Sequence, residues 1–284
     1  MIPIEDLLRF IREDAPWGDV TSETVVPDIA CRAVVRAKDR GIVAGLEEAR
    51  RLFEHFGVTV REHTVDGRKV APGEILLELD GPARAVLLVE RTALNIVGRM
   101  SGIATRTREA VDAVRAVSPR VRVAATRKTV PGLRMLDKKA VVLGGGDPHR
   151  YSLSDMVLIK DNHLALVPLP EAVRRAKSES LYRTVEVEVE TVEEAVIAAG
   201  AGADIVLLDN MTADAVREAV RVLTDRGLRE RVALEVSGGV AAADLAGYAV
   251  TGIDIISMGA LTHTVRNFDV SLDILKGAGT VRIP

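Results

Sequence analysis

The feature that most constrains the fold of this chain is a repeat beginning near residue 120, in which short β-branched runs alternate with helical patterns. The predicted strands span residues 121–123, 155–160, 184–190, 204–210, 232–236 and 254–258. Segments 191–201 and 212–223 carry apolar residues at helical spacing, and each begins with a threonine suited to N-capping. Such βα units predict a parallel sheet that is closed, or nearly closed, into a barrel.

The predicted strands are apolar along most of their length and become polar or glycine-rich near their carboxyl ends. The residues at these ends include Arg127, Lys128, Lys160, Glu188, Asp209, Ser237, Gly238, Gly239 and Gly259. In βα barrels the active site lies at the carboxyl ends of the strands. The sequence therefore predicts an active site at this end of the sheet.

The first part of the chain has a different pattern. Predicted strands at 32–35 and 74–79 are separated by turn signals, and residues 46–56 and 83–97 have helical periodicity. This predicts a separate α+β domain, residues 1–104, before a catalytic barrel domain, residues 105–264. The tail, residues 265–284, is too short to fold alone, and we expect it to return to the first domain.

Positive charge is concentrated between the first two predicted strands of the barrel. Residues 127–160 contain seven Lys or Arg and three Asp, whereas the whole chain has a net charge of −3. Such a cluster needs acidic partners, solvent or bound anions to offset its own repulsion. We interpret it as the binding site of an anionic substrate.

Composition excludes several other classes of protein. Aromatic residues make up 3% of the chain, too few to stack many bases of a single strand, and no broad basic surface is indicated. Cys31 is the only cysteine, so we expect no intrachain disulfide and only oxygen-bound metal. No run approaches the ~18 apolar residues of a membrane span, and the first residues lack a basic signal region, which predicts a cytoplasmic protein.

The segment 185–190 alternates valine and glutamate, so that Glu186, Glu188 and Glu190 share one face of a strand. One interpretation is an edge strand with a solvated acidic face. In a barrel, however, the valines would pack on helices and the glutamates would point inward, where they need cations or Mg²⁺. Lys160 and Asp209 end the neighbouring strands and would meet near Glu188, although each alone could be a cap or a surface charge.

Two late loops, Ser237-Gly238-Gly239 and the one containing Gly259, suit phosphate binding, because small residues let backbone N–H groups approach an anion. Glycine pairs are also ordinary turn residues. His149, His163 and His263 are either ligand-facing donors or structural residues. The sequence has no HxxxH, paired CxxC or nucleophile-elbow spacing, so metalloprotease and serine-hydrolase interpretations have no support.

The motifs along the chain together resemble those of the quinolinate phosphoribosyltransferase family. They are GDVTS at 18–22, ERTALN at 90–95, SGIAT at 101–105, TRKTVPGLR at 126–134, HR at 149–150, MVLIKDNH at 156–163, LLDN at 207–210, EVSGG at 235–239 and MGALTH at 258–263. The resemblance covers nearly the whole chain. It implies an N-terminal α/β sandwich domain and an incomplete βα (TIM-like) barrel of the type II phosphoribosyltransferase kind, assembled as a dimer or a hexamer.

The resemblance also implies a reaction. Quinolinate and phosphoribosyl pyrophosphate would become nicotinate mononucleotide, pyrophosphate and CO₂, with Mg²⁺, in the synthesis of NAD. The implied quinolinate ligands are Arg127, His149, Arg150 and Lys160, with Arg91 donated by a partner subunit. The implied catalytic residues are Lys128, Lys160, Glu188 and Asp209, of which Glu188 and Asp209 would face the ribose and Mg²⁺. The implied phosphate ligands are Ser237, Gly238, Gly239, Gly259 and His263.

The chain departs from the family pattern at two places near the expected pyridine pocket. Ala125 stands where many members have aspartate, and Asp147-Pro148 replaces a pair common in bacterial relatives. These departures keep three alternatives open. They are a phosphoribosyltransferase acting on nicotinate or another acid, a homologue linked to metal-anion uptake, and a non-catalytic phosphate-binding barrel.

Overall fold

A computed structural model describes residues 2–275 of the chain. Its strands are β1 Ala30–Ala37, β2 Gly41–Ile42, β3 Thr59–Glu62, β4 Lys69–Val70, β5 Ile75–Pro82, β6 Arg122–Ala124, β7 Val157–Ile159, β8 Val185–Val189, β9 Ile205–Asp209, β10 Ala233–Ser237, β11 Ile255–Ser257 and β12 Val270–Ile274. Its helices are α1 Ile4–Asp14, α2 Val20–Val25, α3 Leu46–His55, α4 Ala83–Arg115, α5 Arg134–Leu143, α6 Asp161–Leu164, α7 Leu169–Glu179, α8 Val192–Ala201, α9 Ala213–Asp225, α10 Leu245–Ala249 and α11 Ala260–His263, with 3₁₀ turns at Arg229–Arg231 and Ala242–Asp244. None of the helices within residues 2–275 is long and apolar enough to cross a bilayer.

The described residues divide into two compact units. The first contains the residues up to Arg106, the segment Pro131–Gly144, and the residues from Val265 onward. The second contains Thr107–Val130 and Gly145–Thr264. This second unit holds all the strands that the βα repeat predicted.

The first unit is built on an antiparallel sheet with the strand order β12-β1-β5-β3, accompanied by the small pair β2 and β4. Its largest fully buried apolar side chains come from α1, α3, α4 and β5, and they are Leu7, Leu46, Leu52, Phe53, Leu76, Leu77, Leu79, Met100 and Ile103. The tail was expected to return to the first domain, and its strand β12 pairs with β1, from Ala33–Ile274 to Ala37–Val270. Residues 276–284 of that tail lie outside the described residues.

The segment Pro131–Gly144 clusters with the first unit, whereas the sequence-based division assigned it to the barrel domain. Charged contacts give the physical reason. Arg99 donates two hydrogen bonds to the buried carboxylate of Asp137, at 2.8 and 2.9 Å. Lys139 Nζ lies 2.5 Å from Glu47 and 2.7 Å from the fully buried Glu48. Because buried carboxylates need such partners, these contacts attach α5 to the elements around it.

The second unit contains a six-stranded sheet in the order β6-β11-β10-β9-β8-β7, in which every neighbouring pair is parallel. Asp147 forms one further parallel bridge with Ala124, on the free side of β6. A complete TIM barrel has eight parallel strands, so this sheet forms an incomplete βα barrel. The predicted fold class is therefore confirmed.

The alternating residues of β8 separate two environments, as the barrel interpretation requires. Val185, Val187 and Val189 belong to the apolar core with the helices α7, α8 and α9, while Glu186 and Glu188 share the opposite face. The edge-strand interpretation is wrong, because β8 lies between β7 and β9 and Glu186 is fully buried. The predicted threonine caps are confirmed at Thr191 and Thr212, which accept N–H bonds from Glu194 and Ala215.

Candidate active site

A cavity of about 640 Å³ lies at the carboxyl ends of the parallel strands in the second unit. The ionisable side chains that line it are Arg127, Lys128, His149, Arg150, Lys160, His163, Arg183, Glu188, Asp209 and Glu235. Ser237 and Ser257, the last residues of β10 and β11, also line it. The cavity therefore lies where the polarity of the strand ends predicted an active site.

Arg127 and Arg150 form the cationic side of the cavity together with His149. Burial lowers the pKa of Arg150, and the nearby charge of Arg127 lowers it further, while Glu186 opposes the change. Two guanidinium groups held this close favour a bound anion, because an anion would relieve both their desolvation and their mutual repulsion. This side can therefore bind a carboxylate or a phosphate.

The backbone around His149 is fixed by local contacts. His149 has a φ of 53°, a left-handed conformation that is uncommon outside glycine. Its N–H donates to Asp147 Oδ1 at 2.9 Å, and its ring Nδ1 accepts the N–H of Arg150 at 2.7 Å. Asp147 also accepts a bond from Arg122 at 3.2 Å. The aspartate that departs from the family pattern thus has a structural role as an acceptor for this turn.

Ala125, the other departure from the pattern, is fully buried next to the same turn. Its N–H donates to the carbonyl of Asp147 at 2.9 Å, which extends the bridge between Ala124 and Asp147. The methyl group of alanine carries no charge, so this buried position needs no ionic partner. Neither departure removes a side chain from the cavity lining.

Lys160 and Glu188 form an ion pair between the ends of β7 and β8. The carboxylate of Glu188 is mostly buried, whereas Lys160 is partly exposed to the cavity. The N–H of Lys160 donates to His163 Nδ1 at 2.9 Å at the start of α6, so His163 braces this loop. The pair places one cation and one carboxylate at adjoining positions in the cavity.

Asp209 ends β9 directly beside Ser237 of β10, its partner in the parallel register. Asn210 donates from Nδ2 to Asp209 Oδ2 at 2.6 Å, and the N–H of Asn210 donates to the carbonyl of Ser237 at 3.0 Å. Asn210 itself has a φ of 54°, so the chain turns sharply here. These contacts fix the direction in which the Asp209 carboxylate leaves the strand.

The cavity lining includes the carboxylates of Glu188 and Asp209, the two residues expected to hold Mg²⁺. Hard divalent cations of this size are usually bound by one or two carboxylates together with water and substrate phosphates. Among residues 2–275, neither carboxylate belongs to a group of three converging acidic or histidine ligands. The donor set therefore fits a Mg²⁺ ion held partly by a bound phosphate ester.

The glycines predicted for phosphate binding adjoin the cavity without lining it. Gly238 and Gly239 follow Ser237 with φ values of 90° and 58°, and a Cβ at Gly238 would lie 2.7 Å from the backbone nitrogen of Asn210. Gly259 is packed against two predicted site residues, since a Cβ there would lie 2.9 Å from Lys128 Cδ and 3.1 Å from the ring of His263. Gly238 and Gly239 suit their positive φ, and Gly238 and Gly259 also leave no room for a Cβ.

Arg91 lies in the first unit, with an exposed side chain on α4. The expectation that it acts from a partner subunit stays a prediction. The structure adds Arg183 and Glu235 to the lining, two residues to which the sequence interpretation gave no role. It also buries Glu186, which was expected to face the barrel interior, beside His149. Glu235 alternates with Ser237 on β10 as Glu186 does with Glu188 on β8, a signal that the sequence contained. No comparable pattern marks Arg183.

Family models for the N-terminal and C-terminal domains of quinolinate phosphoribosyl transferase match residues 19–101 and 103–273. A protein named probable nicotinate-nucleotide pyrophosphorylase (carboxylating), from Methanothermobacter thermautotrophicus, is 44% identical over 274 residues, which cover 95% of this chain and 98% of the relative. The Mycobacterium leprae protein named nicotinate-nucleotide pyrophosphorylase (carboxylating) is 39% identical over 279 residues, 95% of this chain and 96% of the relative.

Solved structures give the same result. The nicotinate-nucleotide pyrophosphorylase of Ehrlichia chaffeensis superposes with a TM-score of 0.91 at 31% identity, covering 97% of this chain and 99% of that one. The Francisella tularensis structure of the same name gives 0.89 at 34% identity, covering 97% and 98%. With both domains matched and the cationic cavity in place, this chain belongs to the quinolinate phosphoribosyltransferase family.

Proposed function

We propose that this chain transfers a phosphoribosyl group from phosphoribosyl pyrophosphate to quinolinate, releasing pyrophosphate and CO₂ and forming nicotinate mononucleotide for NAD synthesis. The observation that carries the proposal is the composition of one cavity. Arg127, His149 and Arg150 line it together with the Lys160–Glu188 pair and Asp209. A diacid and a phosphorylated sugar both need such cations, and a reacting ribose needs the carboxylates.

The arginine side of the cavity suits the diacid. Quinolinate carries two carboxylates on adjacent ring carbons, and these repel each other in water. Guanidinium groups match carboxylates in a bidentate fashion, so Arg127 and Arg150 would bind them, with Lys160 as a further cation. We assign His149 to the same pocket and Arg91 to the partner subunit of a homodimer or hexamer, because the family motifs at both positions are present.

The other side of the cavity suits the phosphorylated sugar. Glu188 and Asp209 would face the ribose hydroxyls, and the loops at Ser237–Gly239 and at Gly259 would receive phosphate oxygens through their backbone N–H groups. His263 and Lys128 pack against Gly259. The lysine would add a cation, and the histidine a hydrogen-bond donor, near the second loop. Bound Mg²⁺ would neutralise charge on the leaving pyrophosphate.

The reaction develops charges that these residues can stabilise. As the bond between ribose C1 and pyrophosphate breaks, positive charge grows on the sugar, and Glu188 and Asp209 favour it. Lys128, between the two substrates, favours the negative charge of the leaving group. The ring nitrogen of quinolinate bonds to ribose C1 and becomes positively charged. This charge stabilises the electron pair left at C2 when the adjacent carboxylate leaves as CO₂, and C2 then takes a proton from solvent. The mechanism therefore needs no covalent nucleophile.

The test is incubation with phosphoribosyl pyrophosphate, Mg²⁺ and quinolinate labelled in the 2-carboxylate, with nicotinate in parallel. We expect labelled CO₂ and mononucleotide in the incubation with quinolinate and neither product in the incubation with nicotinate. Product from nicotinate without CO₂ would instead assign a non-decarboxylating phosphoribosyltransferase. Binding of phosphates without product from either acid would indicate a phosphate-binding barrel. We also propose that the reaction takes place in the cytoplasm.

A further inference from the structure

Two glutamates lie beneath the arginine side of the cavity and have no role in the proposed reaction. Glu186 on β8 and Glu235 on β10 are 0% and 1% exposed. None of their four carboxylate oxygens accepts a hydrogen bond from the described residues. The ring of His149 lies beside both, with Nε2 3.3 Å from Glu186 Oε2 and 3.7 Å from Glu235 Oε1. Buried carboxylates in this state are costly unless a proton or a cation neutralises them.

The histidine ring has one defined orientation. Nδ1 of His149 accepts the backbone N–H of Arg150, so the ring N–H is on Nε2, the ring atom that lies within 3.3 and 3.7 Å of the two carboxylates. This arrangement disfavours a metal ion among the three side chains, although their ligand atoms lie within 4.8 Å of one another. A metal-binding histidine normally donates from its other ring nitrogen, and here that nitrogen is an acceptor.

The groups that face Glu235 do not supply enough positive charge for two ionised glutamates. Glu186 faces it from β8, His149 and Asp147 from the segment after α5, and Ser257 from β11. The partners of Glu235 in the adjacent strands, Leu207 and Ile255, are apolar. Burial and the charge of Glu186 together raise the pKa of Glu235 to about 7. A proton therefore belongs to this group of side chains near neutral pH.

We infer that Glu186 and Glu235 are positioning residues for the acceptor pocket, which hold His149 from below and take up a proton on Glu235 when the diacid binds. Glu186 raises the pKa of Arg150, against the effects of burial and of Arg127. Ionised Glu235 would add a second negative charge beneath a pocket that must accept a dianion. Bound quinolinate would therefore disfavour the carboxylate form of Glu235. This inference rests on the proposed binding of quinolinate.

The experiment is calorimetric titration of the whole protein with quinolinate at pH 7 and pH 8, each in HEPES and in Tris, which differ in ionisation enthalpy. If the bound state keeps Glu235 protonated, uptake is about half a proton at pH 7 and about nine-tenths at pH 8. The dissociation constant should rise about fivefold over the same interval. The Glu235→Gln variant, which mimics the protonated form, should show neither effect and should bind about tenfold more tightly than the natural protein at pH 8.

Glu48→Gln is the matched control, because Glu48 is also fully buried but lies in the first unit beside Lys139. It should keep the proton uptake of the natural protein. Equal heats in the two buffers, or uptake that persists in Glu235→Gln, would overturn the inference while leaving quinolinate binding intact. Complete absence of quinolinate heat in the natural protein would overturn the proposed function, and the inference with it. A merely structural role of Glu235 would not make the Glu235→Gln variant bind quinolinate more tightly than the natural protein at pH 8.

Discussion

Lys160 and Glu188 form an ion pair at the carboxyl ends of adjacent strands, although the proposed reaction assigns them to different substrates. In that reaction Lys160 would bind the diacid and Glu188 would face the ribose. Each neutralises the other before either substrate arrives, which limits the cost of holding a mostly buried carboxylate in the empty site. Removing one partner should therefore slow the reaction and also leave the other partner with an uncompensated charge.

Lys160→Ala should abolish turnover, with a fall in kcat/KM of at least about 1,000-fold, because it removes a cation from the substrates and leaves Glu188 without its partner. Steady-state kinetics with both substrates varied would measure this. Lys177→Ala is the matched control, since Lys177 pairs with Asp204 at 2.6 Å and does not line the cavity. Similar kinetics for the two variants would contradict the assignment of Lys160.

Arg150→Ala should act mainly on quinolinate binding, raising its KM about 100-fold with a smaller change in kcat, because one bidentate partner of the diacid is lost. The KM for phosphoribosyl pyrophosphate should change little. Arg175→Ala, at an exposed arginine on α7 paired with Glu171, provides the control. An unchanged KM for quinolinate would show that Arg150 does not contact this substrate.

Gly238→Ala should block the proposed phosphate loop. The residue has a φ of 90°, and the added Cβ would lie 2.7 Å from the backbone nitrogen of Asn210. We expect phosphoribosyl pyrophosphate binding to weaken at least about tenfold, while quinolinate still binds. Gly247→Ala on α10 is the control, because no atom lies within 4 Å of its added Cβ. Calorimetry with each substrate would separate the two sites, and equal loss of both would indicate general unfolding.

Asp209→Asn should reduce kcat by about 100-fold or more and raise the Mg²⁺ concentration needed for half-maximal rate, because it removes a negative oxygen ligand and a charge near the ribose. The substitution keeps the size of the side chain beside Asn210. Titration of activity with Mg²⁺ in the natural protein and the variant would test it. Identical Mg²⁺ curves would exclude Asp209 from the metal environment. Removal of Mg²⁺ by a chelator should stop the reaction in the natural protein.

Glu235→Gln should change the pH dependence of stability. The pKa of Glu235 is raised from 4.5 to about 7, so between these values the folded protein holds a proton that the unfolded chain has released. The contribution of this group to stability therefore falls as pH rises through that window, by on the order of 3 kcal/mol. The variant should have a higher Tm than the natural protein at pH 8 and nearly the same Tm at pH 5. A Tm difference that is independent of pH would count against the raised pKa.

Much of the second unit could be predicted from the sequence because its periodicities are local. The alternation of valine and glutamate in β8 fixes which residues face the helices once the strand forms, since successive side chains point to opposite faces. The polar strand ends identified Lys160, Glu188 and Asp209, which line one cavity. Four predicted strands were longer than those observed, as in β7, which spans Val157–Ile159 rather than 155–160, and the predictions for β6 and β10 were shifted by one residue.

Other relationships depended on tertiary structure. The attachment of α5 to the first unit rests on Arg99 and Asp137, residues whose proximity no local pattern indicates. Glu186 and Glu235 belong to strands separated by β9, so only the curvature of the sheet brings both carboxylates to one histidine. The sequence by itself determined which faces and strand ends carry charge, because side-chain direction follows from backbone period. Tertiary structure alone decided which of those charges meet inside the barrel, because the curvature of the sheet is a property of all its strands together.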